Sequence, residues 1–100
     1  MNAAAGASGA HILVVDDDED ILRLLSIRLR ARGFRVSTAA SAEEALGRIA
    51  VDPPRAVVSD VRLPGRDGLA LFDEIRGAWP TLPVILLTAH GTIPDAVDAT

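Results

Sequence analysis

Two apolar runs in this chain each end in carboxylates. Ile12-Leu13-Val14-Val15 runs into Asp16-Asp17-Asp18-Glu19-Asp20, and Ala56-Val57-Val58-Ser59 runs into Asp60. Asp16, Asp17 and Asp60 can act together only if both runs are strands ending at the same edge of one sheet. Two carboxylates ~4 Å apart repel by about 4 kcal/mol at an effective dielectric of about 20. A bare cluster of this kind raises the pKa of at least one member. A divalent cation removes the repulsion. The three residues offer only oxygens and the chain has no Cys, so a hard ion is favoured. Mg2+ fits best, because it takes few carboxylates and keeps several waters. A cation held there can also clamp a phosphoryl group, and a carboxylate beside it can attack as a nucleophile to give an acyl phosphate.

The elements around these residues are legible from pattern. The first run is short and β-branched, as expected of a strand buried on both faces. Ile21, Leu22, Leu25 and Leu29 then recur at helical spacing. Asp18, Glu19 and Asp20 fall in the first turn of that helix and Arg28, Arg30 and Arg32 near its end, as the helix dipole favours. The plain reading of Asp18, Glu19 and Asp20 is therefore helix capping. Gly33 stops the helix, and Phe34 to Thr38 alternates as a half-exposed strand. Ser41-Ala42-Glu43-Glu44 is a capping box opening a helix with Ala42, Ala45, Leu46 and Ile49 on one face, ended by Pro53-Pro54. After the Asp60 strand, Leu63 to Gly68 is turn chemistry, and Leu69, Phe72 and Ile75 mark a third helix. Pro83 to Thr88 is a fourth strand, apolar on both faces, and Thr92-Ile93-Pro94-Asp95 opens a fourth helix. The order βαβαβαβα implies a parallel sheet with right-handed crossovers. In such a sheet, ligands bind beyond the carboxyl ends of the strands, where Asp16, Asp17 and Asp60 are expected.

Composition narrows the function classes. One hundred residues, 49% hydrophobic and 24% charged, suit one soluble domain. The net charge of -4 argues against a nucleic-acid-binding surface. No apolar run approaches the roughly 18 residues of a membrane span. Residues 1–10 lack the positive and apolar regions of a signal peptide. They read as a disordered tail before a domain of residues 11–100, with the cytoplasm as the expected location. All ten basic residues are Arg. His11 and His90 read as solvated rather than catalytic, and Arg66 and Arg76 as ordinary surface charges.

Two other acidic motifs fail on spacing. Asp16, Asp18 and Asp20 match the start of an EF-hand loop, but Ile21 and Ile27 occupy the positions that need Gly and Glu. An Asp-x-Asp after a strand also suggests a Mg2+-dependent phosphatase of the haloacid-dehalogenase type. The following Glu19-Asp20-Ile21 lacks the small or hydroxyl residue expected there.

Val14 to Asp18, Val58 to Gly68 and Leu86 to His90, in that order, resemble the receiver domain of bacterial two-component response regulators. The resemblance covers about residues 11 to 100. It implies a flavodoxin-like doubly wound parallel sheet with strands in the order 2-1-3-4. Asp60 then matches the phosphoacceptor, which takes a phosphoryl group from a sensor histidine kinase. Asp17 matches the direct carboxylate ligand of Mg2+, and Asp16 the neighbour that holds the ion partly through water. Arg62 matches the residue giving its backbone carbonyl to the metal. Thr88 matches the switch hydroxyl, and Ala89 the small residue whose amide meets a phosphoryl oxygen.

A receiver also has a fifth strand ending in Lys and a fifth helix. Neither fits within residues 1–100, which contain no Lys, so a fragment of a longer regulator is expected. The fourth strand is then expected as an apolar edge beside a bare apolar face. Leu86 to Val97 resembles receivers that front sigma-54-dependent transcription activators, which implies downstream ATPase and DNA-binding domains and room for dimerisation. The function implied is a phosphoacceptor that loses its own phosphoryl group and switches an output, not an enzyme acting on free metabolites. A receiver-like interaction scaffold that is never phosphorylated is the rival from another class. The acidic triplet argues against it and the missing Lys for it.

Overall fold

A computed structural model of the protein describes residues 9–60, 68–88 and 91–92. The described elements are β1 (His11–Val15), α1 (Glu19–Ala31), β2 (Arg35–Ala39), α2 (Ala42–Val51), β3 (Ala56–Asp60), α3 (Gly68–Ala78), β4 (Val84–Thr88) and β5 (Gly91–Thr92). The sheet order is β2-β1-β3-β4-β5. The first four strands pair in parallel, so the expected 2-1-3-4 order holds.

β1 is buried along its whole length, as a central strand covered on both faces must be. Leu13 and Val15 join Val57, Val84 and Leu86 on one face, under Ala42, Ala45 and Ile49 of α2 and Leu71, Phe72 and Ile75 of α3. Ile12 and Val14 point the other way and meet Leu22 of α1, with Leu25 and Leu29 partly buried around them. The alternation of a strand thus divides one apolar run between two helical layers.

The helix ends follow from local chemistry. Asp18 caps α1, its Oδ1 accepting from Asp20 N–H at 2.9 Å and Ile21 N–H at 3.4 Å. Gly33, at φ 95°, takes the left-handed turn after α1 that a side chain would resist. Ser41 Oγ accepts from Glu44 N–H at 3.1 Å, and Glu44 Oε1 accepts in return from Ala40 N–H at 2.9 Å. The reciprocal bond of this capping box therefore closes one residue earlier than the usual pattern.

Several expectations need correction. In α1, Ile21 is 40% exposed, so the buried stripe begins at Leu22. In α3, Leu71 lies in the core and Leu69 is 46% exposed, because the helix presents the face shared by Leu71, Phe72 and Ile75. β4 is apolar from Val84 to Leu87; Val84 and Leu86 are buried, while Ile85 is 41% exposed. Nor is β4 the edge of the sheet. Gly91 and Thr92 return beside it antiparallel, pairing Leu87 with Thr92 and Thr88 with Gly91. This short return satisfies backbone groups that an edge strand leaves unpaired. The helix expected from Thr92 onward falls on residues 93–100, outside the described residues, as do residues 1–8. Gly9 and Ala10 are hydrogen-bonded to the start of β2, through Arg35 Nε–H to Gly9 O and Arg35 N–H to Ala10 O.

Ile49, with no exposed surface, sits between α2 and the sheet. Ile49→Ala is expected to cost about 2–5 kcal/mol of folding stability, as large-to-small core substitutions do. Urea unfolding measures this directly, and a loss below about 1 kcal/mol would contradict the packing described.

Candidate functional site

The pairing of β1 with β3 builds the site. Val15 lies opposite Ser59 in parallel register, so the next residues, Asp16 and Asp60, emerge side by side at the carboxyl edge. The sheet order reverses here, since β1 lies between β2 and β3. This is the switch point at which open α/β sheets bind ligands. Asp16 N–H continues the ladder by donating to Ala39 O at 3.1 Å.

Carboxylate oxygens of Asp16, Asp17 and Asp60 all lie within 4.8 Å of one another. Asp16 is buried, Asp60 half-buried and Asp17 exposed. The set is graded from the interior to solvent, and a small ion could enter from the side of Asp17. Asp16 Oδ1 accepts from Asp18 N–H at 2.9 Å, which fixes its side chain at the turn into α1. Asp18 is spent on capping and stands apart from the triplet, as read from the sequence. Ser59, fully buried, turns its hydroxyl to Asp60 O at 2.9 Å and stiffens the end of β3.

Burial pushes the Asp16 carboxyl above its ordinary value of 3.8, and the negative charges of Asp60 and Asp17 push it the same way. The bond from Asp18 N–H acts in the opposite direction and is outweighed. The folded chain therefore holds a proton on Asp16 in a pH window where the unfolded chain has lost it. The contribution of Asp16 to stability grows as pH falls through its raised pKa towards 3.8. Above that window, ionised Asp16 destabilises the metal-free fold. Asp16→Asn is thus expected to raise the thermal midpoint in metal-free buffer at neutral pH, because it removes a buried negative charge beside two others. The gain should shrink on acidification. A midpoint lowered by the substitution would contradict this account.

The donor set suits a hard divalent cation: three carboxylates from two elements, oxygen only, with an exposed side left for water. Thr88 ends β4 one step beyond Leu87, the register partner of Asp60, so its backbone reaches the same edge. Arg62, Ala89 and His90 lie outside the described residues.

His11 departs from the sequence reading. It begins β1 and is only 7% exposed, with Nε2 2.6 Å from Ser37 Oγ. It shares strand parity with Leu13 and Val15, which was the available signal that it points inward beneath α2. Neither Ser37 nor Asp52, the residue that ends α2 beside it, stood out in the sequence.

Three comparisons place this geometry among known proteins. The family profile described as the response regulator receiver domain matches residues 12–100. The chain is 50% identical over 91 residues to the transcriptional regulatory protein GlrR of Escherichia coli, covering 91% of this chain and 20% of that protein. It is 48% identical over 93 residues to the C4-dicarboxylate transport transcriptional regulatory protein DctD of Rhizobium meliloti, covering 93% of this chain and 20% of that protein. The chain thus spans about a fifth of the length of these relatives. Among solved structures, the response regulator protein TrrA of Thermotoga maritima, in complex with Mg2+ and BeF, superposes with a TM-score of 0.77 at 39% identity, covering 79% of this chain and 69% of that one.

Proposed function

Because the chain belongs to the response regulator receiver domain family, we propose that it is a signalling switch whose phosphoacceptor is Asp60. The observation that carries this reading is the convergence of Asp16, Asp17 and Asp60 within 4.8 Å at the switch point of the sheet. Asp17 and Asp60 would hold Mg2+ directly, Asp16 partly through water, and Arg62 through its backbone carbonyl. Bound there, Mg2+ supplies charge neutralisation for an incoming phosphoryl group.

The chain's own residues would do the rest. An Asp60 carboxylate oxygen attacks the phosphorus of a phosphohistidine on a sensor histidine kinase. The P–N bond breaks and its electron pair stays on the imidazole nitrogen, leaving an acyl phosphate on Asp60. Such a transfer depends on placement and neutralised charge rather than on strong covalent assistance. The rigid end of β3 provides the placement. Thr88, which ends the neighbouring strand, would offer its hydroxyl to the phosphoryl group, and Ala89, as the resemblance implies, its amide. Attack by water on the acyl phosphate would return Asp60 to its starting state, so the phosphoryl group turned over at this site would be the segment's own.

The similarity to transcriptional regulators about five times the length of this chain supports placing it as the receiver of such a regulator. The domain would then span residues 11–100, behind a tail of residues 1–10, with an ATPase and a DNA-binding domain as the output. This reading locates the protein in the cytoplasm, and among the described residues no helix is long and apolar enough to cross a membrane. The direct test is incubation with a small acyl-phosphate donor, followed by intact-mass measurement. One phosphoryl group is expected with Mg2+ and essentially none with a chelator. No uptake under either condition would leave the unphosphorylated scaffold as the better account.

A further inference from the structure

At the opposite end of the sheet from the carboxylate triplet, a cavity of about 450 Å³ opens between the edge strand β2 and helix α2, lined in part by His11, Ser37, Arg48 and Asp52. Three of these side chains form a chain of contacts. Ser37 Oγ lies 2.6 Å from His11 Nε2, and His11 Nδ1 lies 3.8 Å from Asp52 Oδ2. The fold explains the arrangement. Ser37 is the register partner of Leu13, so it shares a face with His11, two residues earlier on β1. Asp52 ends α2 above that face.

A buried His serving only as packing should find a partner for each ring nitrogen. Here Nδ1 is buried, has no hydrogen-bond partner among the described residues and faces a carboxylate. That carboxylate favours the tautomer with its proton on Nδ1, which leaves Nε2 to accept from the Ser37 hydroxyl. Hydroxyl, imidazole and carboxylate in this order, opening onto one cavity, are the parts of an activated nucleophile. The Asp52 side chain is 63% exposed, so it has room to swing and shorten the 3.8 Å contact when charge develops on the ring.

We propose that Ser37 is a second reactive site, distinct from Asp60, that takes acyl groups from small activated esters. Ser37 Oγ attacks the ester carbonyl carbon and its proton passes to His11 Nε2. Asp52 offsets the charge of the resulting imidazolium as a positioning residue. Arg48, which lines the cavity and gives one N–H to Glu44 Oε2 at 3.3 Å, has further donors for the developing oxyanion. The adduct collapses as the bond from carbon to the alcohol oxygen breaks. The electron pair leaves on that oxygen, which takes the proton from Nε2. Water, deprotonated by the same nitrogen, then releases the acid and restores Ser37.

The test is p-nitrophenyl acetate hydrolysis by the purified protein, with peptide mapping of any acetyl adduct. The chain has no Lys, Cys or Tyr, so few other side chains compete. Ser37→Ala should abolish turnover, and His11→Gln should lower it about 100-fold, the scale of general-base catalysis. Asp52→Asn should lower it about tenfold and change the pH–rate profile, which a merely structural Asp52 would leave unaltered. A fluorophosphonate probe on the unsubstituted protein makes the test independent of variant folding, and its adduct should map to Ser37. An adduct elsewhere or none at all, or turnover unchanged in Ser37→Ala, would overturn the proposal. Phosphoryl uptake at Asp60, measured on the same samples, should persist in all three variants, so the two sites succeed or fail separately.

Discussion

Asp60→Asn should reduce phosphoryl uptake by at least about 100-fold, or about 2.7 kcal/mol in the barrier, while leaving the fold intact. The amide matches the carboxylate in shape but is a poor nucleophile and cannot form the acyl phosphate. The substitution also removes one of three negative charges packed within 4.8 Å, so repulsion falls and the metal-free midpoint should hold or rise. This pairing of effects separates a lost reaction from a lost fold. Uptake equal to that of the parent, measured by intact mass with an acyl-phosphate donor and Mg2+, would remove Asp60 from its role.

Asp17→Ala should weaken Mg2+ binding by about 100-fold, or about 2.8 kcal/mol at about 1.4 kcal/mol per factor of ten. Asp17 is the exposed member of the triplet, so its loss leaves no cavity in the core and little change in stability. On the function proposed, the divalent ion would take a direct anionic ligand from it, and Asp16, whose Oδ1 already accepts from Asp18 N–H at 2.9 Å, would replace it poorly. Calorimetric titration reads the affinity. Raising Mg2+ well above the weakened dissociation constant should restore part of the phosphoryl uptake, because Asp60 itself is untouched. Unchanged affinity would mean that Asp17 lies outside the metal's first contacts.

Much of this was legible in the chain because strand alternation and parallel pairing are simple geometric constraints. Once Ile12 to Val15 and Ala56 to Ser59 are neighbouring parallel strands, Asp16 and Asp60 must meet at their ends. Asp18 could be set aside as a cap because its position before a helical stripe gives it other work, and its two N–H partners bear that out. Rotation of a helix about its axis was harder to read. In α3, Leu69 and Leu71 are equally apolar, and only packing against β4 and α2 decides that Leu71 goes inside. The return of Gly91 and Thr92 along β4 had no signal in a segment whose Thr-Ile-Pro-Asp pattern announces a helix start. The burial of His11 was missed for a different reason. A polar residue at a strand start is ordinarily solvated, and its inward turn depends on Ser37 and Asp52 arriving from elements 26 and 41 positions further on.

The most direct measurement is a crystal structure of the protein grown with Mn2+ in place of Mg2+, with the ion located by anomalous scattering. One ion should lie about 2.1 Å from carboxylate oxygens of both Asp17 and Asp60, with a water between it and Asp16. An ion bound elsewhere, or a carboxylate edge that stays empty while Asp60 turns away from Asp16 and Asp17, would contradict the account.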